Sequence, residues 1–235
     1  MPAQSAPRTA RDVARLELTR AIMDSARRQL AEVGPAALSV RAVARDLGMV
    51  SSAVYRYFPS RDALLTALLV RAYDDLGEAV ERADAGVRDR ADLRARWRRA
   101  CHAIRGWALG QPHEYALLYG SPVPGYAAPD DTVAAAARVP LVLLALAAEA
   151  HERGLTLTTA PMPVPRKEHR ALRGIRELTE FTIDDERLVR CLMAWENVFG
   201  HLSLELFGHM YRGVLDYDAH FEHVVDRLGN DLGLP

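Results

Sequence analysis

The chain has 235 residues, of which 49% are hydrophobic and 26% charged. This composition is typical of a folded globular protein and excludes a disordered or fibrous one. The net charge of −1 excludes a uniformly basic surface. Residues 1–61 nevertheless hold ten arginines against five acidic residues, whereas the remainder holds 20 basic residues against 26 acidic ones. Chance also produces such asymmetry, but it indicates a local polyanion contact near the N-terminus.

The cysteine and apolar patterns predict a cytoplasmic protein. Cys101 and Cys191 form neither a CxxC pair nor a disulfide framework, which favours a reducing compartment. Residues 1–12 lack the apolar centre of a signal peptide. The most apolar run, Leu141–Ala148, is shorter than the ~20 residues that cross a bilayer. We therefore expect that run to lie in a buried helix.

Helical spacing of apolar residues dominates the first 86 residues. Gly34 and Pro35 end the first run, and Ser39 stands where the N-cap of the next helix belongs. Gly48 can adopt the positive φ of a tight turn, and Ser60 precedes a long apolar helix that Gly86 ends. These signals predict helices over about 11–33, 40–47, 51–58 and 61–86.

The rest of the chain is also predicted to be helical. Asp130 or Asp131 is expected to cap one helix, and Pro140 is expected to kink or break it. The proline-rich segment 155–166 reads as a connector. No strand-like alternation of useful length occurs, so the expected fold class is all-α. The remaining helices are expected over about 91–109, 113–119, 131–153, 170–180, 185–210 and 218–228.

Residues 40–58 follow the helix-turn-helix pattern, whose second helix enters the major groove of DNA. Ser51 and Ser52 open the second helix, where hydroxyl and backbone N–H groups favour phosphate or base acceptors. Arg56 suits a phosphate or a guanine edge, and Tyr55 and Tyr57 suit phosphate and sugar contacts. The flanking arginines expected to neutralise phosphate are Arg41, Arg45 and Arg61. On the alternative interpretation, the tyrosines cover the core and the arginines form a solvated face.

The segment "ALSVRAVARDLGMVSSAVYRYFPSRDALLTALL" resembles the DNA-binding domain of the tetracycline-repressor (TetR) family of bacterial regulators. The resemblance covers residues 11–75. This family often has Ser or Thr where Val50 stands, so Ser51 is expected to cap the recognition helix instead. By this resemblance, the positions expected to face DNA are Ser39, Arg41, Ser51, Ser52, Ala53, Tyr55, Arg56, Tyr57 and Arg61.

The later segments "YGSPVPGYAAPDDT" and "WENVFGHLSLELFGH" are more loosely similar to a subset of the same regulators. In that family this region carries effector binding and dimerisation. The expected organisation is a flexible arm at 1–10, a helix-turn-helix domain at 11–59 and a helical effector and dimerisation domain at 60–235. The helix from 60 to about 85 connects the last two.

The predicted helix 185–210 is apolar on two sides. Leu188, Leu192 and Trp195 lie on the face expected to look into its own subunit. The opposite face has glycines that allow another helix to approach closely, and it predicts a four-helix dimer interface with helix 218–228. Packing of both faces within one chain is the alternative. The residues of the expected interface are Met193, Asn197, Gly200, Leu204, Gly208, Tyr211, Phe221, Val224, Val225 and Leu228.

Large aromatic residues in the second domain suggest an apolar effector pocket, although aromatics at helical spacing are also ordinary core. His102 or His113 is the expected polar group of this pocket. The residues assigned to it are His102, Trp107, Tyr115, Tyr119, Trp195 and Phe199.

Metal and enzyme signatures are weak. His201, Glu205 and His209 recur one turn apart, with His220 and His223 near in sequence, but solvated histidines explain them better than a zinc site. Neither "HEYAL" nor "HERGL" has the second histidine of HExxH, and no GxGxxG, P-loop or GxSxG occurs. No metal, cofactor or catalytic residue is expected.

The predicted function is that of a homodimeric DNA-binding transcriptional regulator, most simply a repressor released from a palindromic operator by a small molecule. Its partners are then double-stranded DNA, a second copy of the chain and an unidentified effector, with no membrane. Two alternatives are a constitutive DNA-binding dimer with a filled core and a helical small-molecule enzyme or carrier.

Overall fold

The computed structural model describes residues 9–235, except for the side chain of Leu178. These residues contain no strand, so the all-α prediction is confirmed. Two short 3₁₀ helices, Pro35–Ala37 and Asp130–Thr132, lie between α-helices. The α-helices of the described chain are α1 (Ala10–Val33), α2 (Val40–Asp46), α3 (Ser51–Tyr55), α4 (Arg61–Ala85), α5 (Leu93–Gly110), α6 (Pro112–Tyr119), α7 (Val133–Glu152), α8 (Arg166–Thr179), α9 (Asp185–Leu206) and α10 (Tyr217–Asp231).

The described residues divide into two compact units. The N-terminal unit runs to Ala72 and also includes His113–Thr132, and the C-terminal unit comprises Tyr73–Pro112 and Val133–Pro235. This division differs from the expected boundary before residue 60, because the N-terminal half of α4 contributes to the first unit. Of the expected arm 1–10, residues 1–8 lie outside the described chain, and Thr9 caps α1 through a reciprocal bond with Asp12.

The core of the N-terminal unit is formed by one face of each of its first helices. Ile22, Ala26 and Leu30 of α1 are buried at the i, i+4, i+8 spacing of a helix face. Val43 of α2 and Leu64 of α4 are also fully buried. These buried contacts stabilise the short helices of this unit, which would be unstable alone.

Segment 113–132 is held in this unit by two polar contacts. The guanidinium of Arg27 on α1 donates to the carboxylate of Glu114 on α6. The hydroxyls of Thr66 on α4 and Tyr126 lie 2.9 Å apart, within hydrogen-bonding distance. These contacts explain why a segment distant in sequence belongs to the N-terminal unit.

The C-terminal unit is a set of helices in which α5 contacts α7, α9 and α10, and α8 contacts α9. Trp97 of α5 is fully buried, and its indole N–H donates to the Val225 carbonyl of α10 over 2.8 Å. Several helix boundaries differ from those expected, among them the following three. α3 ends at Tyr55, α8 begins four residues earlier at Arg166, and α9 ends at Leu206.

Pro140 does not break α7, which continues from Val133 to Glu152. The stretch Asp130–Glu152 is long and apolar enough to cross a membrane by length and composition alone. However, 44% of its most apolar window is buried within the structure, and α7 contacts both α5 and α9. The helix α7 therefore packs against two other helices of the C-terminal unit.

Arg105 connects three helices of the C-terminal unit through charged hydrogen bonds. Its guanidinium donates to both carboxylate oxygens of Glu205 on α9, over 3.0 and 2.7 Å, and to Asp218 over 2.6 Å. It also lies 5.3 Å from the ring centroid of Phe221. The side chains of Arg105 and Glu205 are only 11% and 8% exposed, so each needs the other to offset lost hydration.

This ion pair yields a stability prediction. Arg105→Leu leaves the Glu205 carboxylate buried without its cation, so we expect the free energy of unfolding to fall by about 3–5 kcal/mol. The double variant Arg105→Leu/Glu205→Leu removes the unpaired charge and should lose much less. Urea denaturation followed by circular dichroism measures both, and equal losses in the two variants would contradict the proposed role of the pair.

Candidate functional site

The helix-turn-helix is formed by α2, a turn at Gly48 and α3. The Ser39 hydroxyl accepts a hydrogen bond from the Ala42 N–H over 3.4 Å and thereby caps α2. Gly48 has a φ of +65°, a conformation that costs other residues about 1–2 kcal/mol. The Met49 N–H donates to the Ala44 carbonyl over 2.8 Å. The positive φ of Gly48 therefore forms the turn, and α2 has a hydrogen-bonded cap at its start and a backbone hydrogen bond across its end.

Burial on α3 separates the packing residues from the exposed ones. Val54 is fully buried and Phe58, just after the helix, is almost so. Ser52 and Arg56 are exposed, and Tyr55 is 40% exposed. The remaining predicted DNA contacts here, Ser51, Ala53 and Tyr57, are half-buried.

Tyr57 has a cation neighbour that the sequence did not suggest. The guanidinium carbon of Arg15 on α1 lies 5.9 Å from the centroid of the Tyr57 ring. This contact is within the range of a cation–π interaction. The first turns of α1 therefore lie beside the end of the recognition helix.

The expectation that Ser51 caps α3 is wrong. Val50 occupies the N-cap position and makes no side-chain hydrogen bond, and Ser51 is the first helical residue. The structure therefore orients the start of α3 through its packing and its backbone, without a capping side chain.

Arginines on this surface lack acidic partners. Arg41 and Arg45 of α2 and Arg56 after α3 are exposed, and no ion pair joins them to any described residue. The carboxylate of α2, Asp46, instead accepts from the Ser25 hydroxyl over 2.6 Å and from Arg28 over 2.7 Å. The Ser25 hydrogen bond, with Arg28, lowers the pKa of Asp46. The surface is therefore cationic, with its own carboxylate already satisfied.

Arg61 was expected to reach phosphate, but its guanidinium is used within the fold. It donates to the backbone carbonyls of Pro35, Ala36 and Leu38 over 2.8, 3.0 and 3.2 Å. These bonds fix the start of α4 against the turn before α2. Arg61 therefore has a structural role in this unit, and its assignment to the DNA contacts stays a prediction.

A short second helix that exposes serine, tyrosine and unpaired arginine beside a glycine turn defines a helix-turn-helix DNA-binding protein. Residues 22–68 match the family model of bacterial regulatory proteins of the tetR family, and residues 97–228 match the tetracyclin repressor-like C-terminal domain. The chain belongs to the tetR family. It is a DNA-binding transcriptional regulator rather than an enzyme, and regulators of this family function as dimers.

Known relatives and solved structures agree with this family. HTH-type transcriptional regulators of Mycobacterium bovis and Mycobacterium tuberculosis are each 46% identical over 200 residues, covering 83% of this chain and of the relative. The crystal structure of SCO4313 is 33% identical, with a TM-score of 0.77 over 95% of this chain and 98% of the other. The TetR family regulator PfmR of Thermus thermophilus, at 20% identity and a TM-score of 0.53 over 91% of this chain and 96% of the other, shows the shared fold alone.

The residues assigned to an effector pocket are divided between the two units. Tyr115 and Tyr119 belong to the N-terminal unit, where their ring centroids lie 5.2 Å apart. His102 on α5 lies 2.8 Å from Glu222, and its ring meets that of Phe221 edge-on. Trp107, also on α5, is half-buried. The six-residue effector pocket therefore stays a prediction.

Two members of that set remain together on α9. The rings of Trp195 and Phe199 have centroids 5.8 Å apart. Trp195 also lines a cavity of about 290 Å³ within the C-terminal unit, walled by α7, α8 and α9. Pro140, Ile175 and Cys191 line it as well. The sequence marked Pro140 as unusual in an apolar helix, but it did not indicate that α8 would form a wall.

The residues expected at a dimer interface fall into two groups. Asn197 and Gly200 are exposed on α9, Leu204 is 47% exposed, and Val224 on α10 is half-buried. Met193 and Tyr211 are exposed as well. In contrast, the structure buries Phe221, Val225 and Leu228 within their own chain and places Gly208 after α9, at a φ of +77°. The assignments of Phe221, Val225 and Leu228 are corrected, because α10 turns this face towards α5 and α9, whereas the exposed Gly208 stays a prediction.

The exposed part of α9 and α10 forms a groove of about 710 Å³ that the sequence only partly indicated. Gly200, Leu204 and Val224 line it, together with His201 and His220. The two imidazole rings stack with centroids 5.4 Å apart. Among the described residues, no group of three or more His, Cys, Asp or Glu is placed to hold a metal ion.

The two roles of arginine in the helix-turn-helix can be separated by substitution. Arg56→Ala should weaken DNA binding by about 1–3 kcal/mol, because Arg56 is exposed and unpaired. Its unfolding free energy should change by less than about 0.5 kcal/mol. Arg61→Ala should instead lower the unfolding free energy by about 1–3 kcal/mol, because it removes three charged hydrogen bonds.

Fluorescence anisotropy with a selected DNA duplex and urea denaturation measure these two effects. Arg82→Ala is a matched control, since Arg82 is an exposed arginine on α4 that pairs only with Glu78 on the helix surface. A loss of stability in Arg56→Ala comparable to that in Arg61→Ala would contradict the assignment of Arg56 to the DNA surface.

Proposed function

We propose that this chain is a ligand-responsive homodimeric repressor that binds a palindromic operator in the cytoplasm. The observation that carries the proposal is the cationic α2–α3 surface, where Arg41, Arg45 and Arg56 lack acidic partners. Across the rest of the described chain, many arginines are engaged by carboxylates. Arginines left unpaired beside an exposed tyrosine match the chemistry of phosphate and base recognition.

The specific base-reading surface is proposed to be α3 with its flanking residues. Ser52, Tyr55 and Arg56 are exposed there, and Arg41 and Arg45 are placed to contact phosphate. Ser51, Ala53 and Tyr57, which are half-buried, complete the surface at its edges. Ser39 serves mainly as the cap of α2, with its backbone N–H bonded to Gln29.

Homodimerisation is proposed to use the groove between α9 and α10. Leu204, which lines this groove, is an exposed large apolar residue, and Met193 and Tyr211 are exposed on and just after α9. An added side chain at Gly200 would meet no atom of its own chain within 4 Å. The close approach of a second copy of α9 accounts for a glycine at this position.

Ligand response is proposed to work through α4, which contributes residues to both units. In a dimer, two recognition helices enter successive major grooves about 34–36 Å apart. A small molecule that favours another separation weakens DNA binding by a coupling free energy of about 1–3 kcal/mol, or about 5- to 150-fold. The cavity lined by Trp195 supports this response over a constitutive dimer with a filled core.

The operator can be identified by selection from random DNA with the purified protein. We expect an enriched palindrome whose half-sites are centred about one helical turn apart, because a two-fold dimer presents two copies of α3. Sequencing of the selected pool gives the half-site and its spacing together. Enrichment of a single, non-repeated site would contradict the dimeric mode of binding.

The dimer surface can be tested by Leu204→Arg. We expect this variant to sediment at the chain mass of 26.0 kDa, whereas the unaltered protein sediments at twice that mass, because a buried unpaired charge opposes association. Gly200→Leu should act in the same direction. Val133→Arg, at a 62% exposed valine on α7, is the matched control and should remain dimeric. Dimeric Leu204→Arg protein would place the interface elsewhere.

A further inference from the structure

Two histidines meet in the groove between α9 and α10. His201 of α9 and His220 of α10 both line this groove, and their rings stack at an interplanar angle of 26° with centroids 5.4 Å apart. His220 is exposed, whereas His201 is only 8% exposed. Histidine is the side chain whose charge ordinarily changes between pH 5 and 8. One contact between these two helices is therefore made by groups that both become cations in acid.

The carboxylate beside His201 already serves another cation. Glu205 on α9 has a carboxylate oxygen 3.6 Å from Nε2 of His201, but both oxygens of that carboxylate accept hydrogen bonds from Arg105. Asp218 on α10 also accepts from Arg105, and its side chain is 87% exposed, so water screens its charge. A protonated His201 would therefore have to share Glu205 with a permanent cation.

The surroundings of His201 favour its neutral form. Phe221 of α10 places an apolar ring with its centroid 5.4 Å from that of His201, and Arg105 of α5 lies over the same phenyl ring. Burial lowers the pKa of His201. Glu205 opposes this lowering, whereas His220 and Arg105 add to it. Glu196, the acidic residue among those that line the groove, is exposed to water.

The direction of the pH effect follows from this environment. Histidine in an unfolded chain has a pKa of about 6.5, so the unfolded chain binds this proton at a higher pH than the folded chain does. The stabilisation from the neutral packing of His201 is therefore complete above about pH 6.5. It is lost as the pH falls through the lowered pKa of His201.

A second copy of the chain in this groove increases the cost of protonation. The contact covers His220 as well as His201, and a two-fold axis brings the histidine pairs of both copies into one interface. Burying an imidazolium without its own carboxylate costs far more than burying a neutral imidazole. Each proton bound by the pairs therefore opposes association of the two copies.

We propose that His201 and His220 form a pH-sensitive element that allows two copies of the chain to associate at neutral pH and separates them in mild acid. The inference rests on the proposed dimer groove and adds its regulation. Because a palindromic operator is bound by both copies together, the same protonation also weakens DNA binding.

The test measures the dimer dissociation constant of the full-length protein by analytical ultracentrifugation between about pH 7.5 and 5.5, the range in which histidine titrates. We expect the constant to rise by roughly 10-fold per pH unit in the acid half of this range, as for about one proton taken up by each dimer on dissociation. Circular dichroism at each pH should show unchanged helix content. Loss of helical signal in step with dissociation would overturn the proposal, because acid would then unfold the chain.

Substitutions of the two histidines identify the groups responsible. His220→Gln removes an ionisable ring at an exposed position and should reduce the pH dependence without affecting folding. The double variant His201→Gln/His220→Gln should abolish it. His113→Gln, at an exposed histidine of the N-terminal unit, is the matched control and should keep the full dependence. Dependence that persists in the double variant would overturn the proposal.

A fixed charge provides a second check at neutral pH. His220→Lys places a permanent cation in the groove and should raise the dissociation constant by roughly 10-fold or more, as for one unpaired charge in an interface. His113→Lys should have no such effect, and equal association of His220→Lys and the unaltered protein would overturn the proposal. A dimer whose dissociation constant is the same at every pH contradicts this inference alone. A monomer at neutral pH contradicts the dimer groove as well.

Discussion

The DNA-binding surface depends on the burial of Val54 and Phe58. A helix of five residues is unstable alone, so α3 keeps its shape only because these two side chains pack into the N-terminal unit. Their burial also fixes which residues point outwards. Tyr55 and Arg56 face solvent because Val54 and Phe58 face the core, and the set of side chains that this surface exposes is therefore a consequence of packing.

Arginine serves two opposite purposes in this unit. Arg61 holds three backbone carbonyls, and Arg28 binds Asp46 beside Ser25. The Asp46 carboxylate, an acceptor that could otherwise pair with an exposed arginine, is thereby already occupied. Arg41 and Arg56 have no acidic partner, because the polar groups of this unit named above bond to one another. The positive charge that this surface exposes thus depends on which arginines have partners within the unit, and not only on how many arginines the sequence contains.

In the C-terminal unit, three sides of α9 have different surroundings. One side lines an apolar cavity at Trp195, another anchors Arg105 through Glu205, and a third remains exposed at Leu204. A change of packing at the cavity therefore acts on the same rigid helix that presents the exposed surface. This arrangement is the physical basis of the proposed ligand response.

The sequence by itself determined the all-α class, the cap at Ser39, the turn at Gly48 and the inward positions of Val54 and Phe58, because these follow from local spacing and backbone preference. It also determined the family, through the long motif around Tyr55 and Arg56. Only the tertiary structure decided that Arg61 donates to three backbone carbonyls, that Phe221 and Val225 are core, and that Trp195 lines a cavity with α8 as one wall. Helical periodicity shows that a face is apolar, but it does not show which neighbour covers that face or which carbonyl a long side chain reaches.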